Sequence, residues 1–491
     1  MSHGCPVFIT IYANYFVGQA EGNKYKPSVK RSYARFTAFS GGRCPPHSPP
    51  AREITSPLTP EWAAAPHFIP FIIINFSSKR GETMKFNTSL LHGISSPNDD
   101  KGATLPPIYQ VSAFACDSAE QLEKVFNNKA AGFSYTRVGN PTVGAFETRI
   151  AALEGGIGAV ACSSGMAAIT AVLLNILKSG DEVIVSTGLF GGTIDLFNDL
   201  KAFGINAHFL EDITYDSIIK AANENTRAVF TELIGNPKLD VVDLDSVSDA
   251  CKEKGIPLIV DSTTATPYII NPIKHGADIV VHSSSKYING GGNSISGIII
   301  DSGKFRWDKE KYPNMTPYLK FGPFAFISKL RNGLWRNTGG CLSPFNAFMN
   351  IVGLETLGLR MERCCDNALK LAEFFGSLDN IEVNYPALPS SPYYELVQRE
   401  FSGKGGAIVT IRAGSKEKAF RLMDSIEFAS VATNIGDVRT LVIHPASTIY
   451  THNTEQQRIS AGVYDDTIRI SVGIEDIDDL IEDFRQAIVS L

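Results

Sequence analysis

Lys286 stands in "ADIVVHSSSKYINGGG" (277–292), where a buried-strand pattern runs into three serines, one amine and three glycines. Asp261 ends a second apolar run, "PLIVD" (257–261). An amine held in a partly dry site loses its proton readily, because desolvation disfavours its charge. Such a lysine can condense with an aldehyde. A buried carboxylate suits the ring nitrogen of pyridoxal phosphate: it keeps that nitrogen protonated and the ring an electron sink. A lone lysine is most often a solvated surface residue, and a lone aspartate a cap. A phosphate cradle nearby shifts that balance. "CSSGMAAI" (162–169) reads as strand, Ser/Gly turn and helix. The amides of Gly165 and Met166 would then open a helix N-terminus, a natural anion site. Ser283 and Ser285, flanking Lys286, add hydroxyl donors.

The elements that must carry these groups follow from the apolar pattern. Short β-branched runs recur at 159–162, 182–186, 228–233, 257–262, 277–283 and 296–301. Helical stretches such as 166–177 and 244–255 separate several of them. Alternation of this kind predicts an α/β protein with a mainly parallel sheet covered on both faces. Ligands of such sheets sit at the carboxyl ends of the strands, where Asp261 and Lys286 fall. The pattern changes near 330. A long helical region (346–375), with a bend expected at Gly353 or Gly358, precedes shorter strands and a C-terminal amphipathic helix. Residues 151–330 therefore read as a large domain and 331–491 as a smaller α+β domain.

Bulk composition excludes several classes. The 491 residues carry a net charge of −6, with no basic face for nucleic acid. No stretch reaches the ~18 apolar residues of a membrane helix, and no secretory signal is evident. Eight cysteines without metal-ligand spacing read as reduced, packed thiols of an intracellular, cytoplasmic protein, and no metal site is expected. Residues 1–83 differ from the rest: they hold ten of the 26 prolines and no aspartate. Lys+Arg number nine against four Glu there, a balance of +5, whereas residues 84–491 carry −11. Disorder is expected over 1–83. Helical patterning begins at Met84, and the reading preferred is that translation starts there, leaving 1–83 outside the natural protein, with a targeting peptide as the second reading.

Seven motifs in order carry a family resemblance: "SYTRVGNPTV" (134–143), "SSGMAAI" (163–169), "LFGGT" (189–193), "IGNP" (234–237), "DSTTATP" (261–267), "HSSSKYI" (282–288) and "IRISVGIE" (468–475). Over nearly all of 84–491 the chain resembles the Cys/Met-metabolism, or trans-sulfuration, enzymes of pyridoxal-phosphate fold type I. The resemblance implies that Lys286 binds the cofactor and shuttles protons. Asp261 would pair with the pyridine nitrogen, with Thr263 nearby, and Gly165, Met166, Ser283 and Ser285 would hold the phosphate. Tyr135 and Arg137, on an arm spanning 84–150, would reach the phosphate of a neighbouring subunit. That implies a homo-oligomer, a tetramer built of dimers with shared sites. Tyr135 is also a candidate for proton transfer. Arg469 would clamp the substrate carboxylate, helped by Asn434. Phe190 stands where the family usually has a tyrosine stacked on the ring, so stacking survives and the hydroxyl is lost.

"LSPFNAFMNIVGLETLGLR" (342–360), "NIGDVRTLVIHPAST" (434–448) and the C-terminal stretch resemble the O-acetylhomoserine sulfhydrylases within that family. Gly192 replaces the cysteine of methionine γ-lyases, and "STIY" (447–450) replaces the sulfhydrylases' "STTH". The implied reaction is γ-replacement on O-acetyl-L-homoserine by sulfide or methanethiol. Cystathionine γ-synthase or a γ-lyase is the alternative within the family. A non-catalytic binding protein of the same fold is the alternative outside it.

Overall fold

A computed structural model describes residues 84–92, 102–127 and 129–489, together with two short strands nearer the N-terminus. Apart from those two strands, the expectations for 1–83 lie outside the described residues. The chain divides into two compact units, 1–59 and 60–491. In the first, β1 (Tyr15–Val17) and β2 (Ser28–Lys30) pair antiparallel.

The second unit contains two sheets. The larger has seven strands: β3 (Gly158–Cys162), β4 (Glu182–Ser186), β5 (Asn206–Leu210), β6 (Thr226–Glu232), β7 (Leu258–Asp261), β8 (Ile279–His282) and β9 (Gly297–Asp301). Their spatial order is β3-β9-β8-β7-β6-β4-β5. Only β9 runs against its neighbours. Strands β3, β7, β8 and β9 are buried along their whole length. Helices cover both faces, which is why these strands read as unbroken apolar runs rather than alternating ones. Edge strand β5 is half exposed and carries Asn206 and His208, so its sequence gives no apolar run.

The smaller sheet contains β10 (Glu382–Asn384), β11 (Ile408–Arg412), β12 (Ser430–Val431), β13 (Leu441–Ile443) and β14 (Thr467–Ser471), in the order β10-β11-β14-β13-β12. One apolar cluster joins the two sheets, taking in Val260 and Ile298 from the first and Ile408 and Ile470 from the second. The long helical region is two helices, Pro344–Leu354 and Leu357–Gly376. Arg360 holds the break between them: its Nη2 donates to Gly353 O (2.7 Å) and its Nε to Thr356 Oγ1 (3.2 Å). The C-terminal helix, Ile477–Val489, turns Leu480 and Phe484 into the core.

Candidate active site

A cavity of about 450 Å³ opens at the carboxyl ends of the large sheet. Strands β6 and β7 are paired in register, with Glu232 opposite Asp261, so both deliver a carboxylate to its floor. Asp261 is 8 % exposed. Its Oδ1 accepts from the Thr263 amide (2.9 Å) and the Thr263 hydroxyl (2.5 Å), and that hydroxyl oxygen accepts in turn from the Ser283 amide (2.8 Å). Burial raises the Asp261 pKa, while the two Thr263 bonds pull it back. Glu232 is pushed well above the usual carboxylate range, by burial first and by the charge of Asp261 second. Of this pair, Glu232 is raised the further. Its Oε1 accepts from the Phe190 amide at 2.6 Å, which fixes the turn carrying the Phe190 ring into the cavity.

Lys286 lies four residues beyond β8. Its Nζ donates to Asn434 Oδ1 at 2.6 Å. Desolvation first, and the Arg469 charge second, lower its pKa to about 8. The backbone behind it is held tightly. Arg360 Nη1 donates to Tyr287 O (2.5 Å) and its Nη2 to Ile288 O (3.3 Å). Gly436 approaches so closely that a Cβ there would stand 2.4 Å from the Tyr287 amide nitrogen, and its φ of 74° suits glycine. Lysine chemistry is thus set by both burial and position. Lys329 shows that burial alone is insufficient: its pKa also falls to about 8, yet it bonds Asn175 O away from the cavity.

The helix Gly165–Ile176 begins at the cavity beside the serine run, with Ser164 Oγ accepting from the Ala167 amide (3.1 Å). The first amides of a helix have no acceptor within it, so those of Gly165 and Met166 are available to an anion. A Cβ at Gly165 would lie 2.6 Å from Ser283 Cβ, so only glycine lets the helix start meet the serine run. Ser283 lines the cavity. Ser285 also lines it, but its hydroxyl already donates to Ser296 O (2.9 Å) and accepts from the Ser296 amide (2.8 Å).

At the small-sheet side, Arg469 on β14 is 3 % exposed. Its Nη1 donates to Asn236 Oδ1 (3.2 Å) and its Nη2 to Asn434 O (2.9 Å), while Nε is buried without a partner. Tyr450 of the "STIY" stretch does not face the cavity. It is buried and its hydroxyl donates to Leu189 O (2.7 Å) and Asn236 O (3.1 Å), bracing both walls.

Tyr135 and Arg137 do not join this cavity. Tyr135 is 41 % exposed, and Arg137 Nη1 donates to Arg336 O (2.8 Å). Residues 87–489 match the model of the Cys/Met metabolism PLP-dependent enzyme family. The chain belongs to that family.

Curated relatives agree. An O-acetyl-L-homoserine sulfhydrylase of Leptospira meyeri is 41 % identical, over 84 % of this chain and 99 % of that one. A homocysteine synthase of Schizosaccharomyces pombe is 37 % identical, over 83 % and 99 %. A Campylobacter jejuni crystal structure, assigned as an O-acetylhomoserine (thiol)-lyase and holding a pyridoxyl-lysine phosphate, superposes with a TM-score of 0.77 at 35 % identity, over 83 % of this chain and all of that one. Fold type I and dependence on pyridoxal phosphate follow from the family. The residues present suit that cofactor: a carboxylate wanting a cation, an aromatic face, a deprotonable amine and bare helix amides share one cavity.

Sequence reading missed Glu232 and Asn236. Glu232 carries the same signal as Asp261, an acid closing an apolar strand, and was within reach. Asn236 becomes a partner of Arg469 only through the pairing of distant segments. No helix among the described residues is long and apolar enough to cross a membrane.

Proposed function

We propose that this enzyme replaces the γ-acetoxy group of O-acetyl-L-homoserine by sulfide or methanethiol. Acetate leaves Cγ, a Cγ–S bond forms, and homocysteine or methionine is released. The observation that carries this reading is the meeting of Lys286, Asp261 and Arg469 in one cavity of a chain that matches 99 % of the length of a sulfhydrylase.

Pyridoxal phosphate, when bound, supplies the electron sink that makes the substrate's Cα and Cβ protons acidic and lets acetate depart. Asp261, fixed by Thr263, would hold the pyridine nitrogen in its protonated form. Phe190 would stack on the ring, and Gly165, Met166 and Ser283 would take the phosphate. Ser285 would contribute there mainly by bracing the loop, since its hydroxyl is engaged with Ser296. Arg469 and the Asn434 amide would bind the substrate carboxylate, the unpartnered Nε adding a donor to the fork. The Lys286 amine, neutral above a pKa of about 8, takes the proton from Cα and then from Cβ.

Among the described residues, the cations lining the cavity are Lys286 and Arg469, both given other roles above, and Arg137 is not one of its lining residues. We therefore propose that Tyr135 and Arg137, on the 84–150 arm, complete the cradle of a neighbouring subunit in a homo-oligomer, a tetramer of paired dimers acting in the cytoplasm. Tyr135 remains the candidate to supply the hydroxyl that Phe190 lacks. Two assays test these readings. Steady-state turnover of acetyl, succinyl and phosphoryl homoserine with sulfide should favour the acetyl ester. Faster release of 2-oxobutanoate from methionine or cystathionine would contradict it. Mixing Arg137→Ala with Lys286→Ala subunits should restore part of the activity, and failure to do so would mean self-contained sites.

A further inference from the structure

A pair of thiols lies just behind the anion cradle. Cys162 ends β3, two residues before the capping Ser164, and Cys341 precedes the helix Pro344–Leu354. The two face each other in an isolated antiparallel bridge. The Ser163 amide donates to Gly340 O at 2.9 Å. This bond links the residue after Cys162 to the residue before Cys341, so the cysteines themselves form the non-hydrogen-bonded pair. In such a pair the Cα atoms lie about 4.5 Å apart with side chains on the same face. Disulfides span Cα separations of about 4.4–6.8 Å. Cys162 and Cys341 pack into the same apolar cluster, and each thiol is free. No other two described cysteines share a backbone bridge. Cys364 and Cys365 are neighbours within one helix, where closing a bond would break the helical backbone.

We propose that Cys162 and Cys341 are a modification site: they close to a reversible disulfide when the enzyme meets a hydroperoxide. Cys341 is the half-buried member; burial raises both thiols, and the Arg137 guanidinium pulls Cys341 part of the way back. The Cys341 sulfur attacks the peroxide oxygen, the O–O bond breaks, and an alcohol (or water) leaves with a sulfenic acid on Cys341. The Cys162 sulfur then displaces that hydroxyl, forming the S–S bond and releasing water. Two thiols lose two electrons and two protons, and one peroxide is reduced. The new bond would staple the strand that feeds the phosphate-binding turn to the segment before Pro344.

The test treats holoenzyme with hydrogen peroxide and maps its non-reduced peptides. A cross-linked peptide joining Cys162 to Cys341, two hydrogens lighter than its parts and released by dithiothreitol, is expected. Titratable thiols should fall by two from the eight in the sequence. Cys341→Ala should lose the cross-link, and Cys116→Ala should keep it. The oxidised holoenzyme should also unfold at a higher temperature, because a long loop is closed in the unfolded chain. A cross-link between other cysteines, over-oxidation of Cys341 without any cross-link, no reaction, or a lowered unfolding temperature would overturn the proposal.

Discussion

The two walls of the cavity are built differently. The wall formed by the large sheet carries Asp261 and Glu232 at strand ends and Lys286 in the loop after β8; Asp261 is fixed by Thr263 two residues on, and the Lys286 backbone by Ser283. The wall formed by the small sheet depends on Arg469, Asn434 and Asn236, which meet from positions more than two hundred residues apart in the case of Arg469 and Asn236. The first wall holds groups whose protonation is shifted. The second holds a buried cation, lowered by burial to about 10, with one donor unused. The difference separates reaction chemistry from substrate choice: the first is set by local chain direction, the second by packing of distant segments.

Variants can break this contrast. Lys286→Ala should have the largest effect, lowering γ-replacement by about 10³-fold or more with the far-UV spectrum unchanged. Comparable turnover in that variant would remove Lys286 from the chemistry. Arg469→Lys keeps the charge and loses the fork. Loss of a charged hydrogen bond costs about 1.5–3 kcal/mol, so kcat/KM should fall about 10- to 150-fold, chiefly through KM. A drop confined to kcat would move Arg469 to the reacting centre. The pH dependence of cofactor uptake sharpens the first wall. Condensation needs the neutral amine, so the rate at which apoenzyme recaptures pyridoxal phosphate should climb as pH rises to about 8 and level off above it. A rate still climbing toward the ordinary lysine value of 10.5 would mean that burial does not tune Lys286. Glu232→Gln should be nearly silent, within about threefold in kcat. Glutamine keeps the acceptor for the Phe190 amide and stands in for the neutral carboxyl that burial favours. A large loss would show that Glu232 works as an anion.

The same contrast explains what the sequence disclosed. Buried strands β7 and β8 appear as apolar runs, so the residues that end them could be placed at once, and the large sheet was legible with them. Edge strand β5 was not, because solvent on one side removes the apolar run. Gly165 was legible as a turn residue, but its reason, the close approach of Ser283, exists only in three dimensions. The commitment of the Ser285 hydroxyl to Ser296 was equally invisible, since it joins two loops through tertiary packing. Arg360 reads as one more charge on an amphipathic helix, yet it holds the carbonyls that follow Lys286.

Borohydride reduction of the holoenzyme, followed by peptide mapping, locates the lysine that holds the cofactor. The pyridoxyl group should appear on the peptide containing Lys286 and on no other. Its appearance on Lys329, whose pKa is lowered equally but outside the cavity, or its absence from every lysine, would contradict the account.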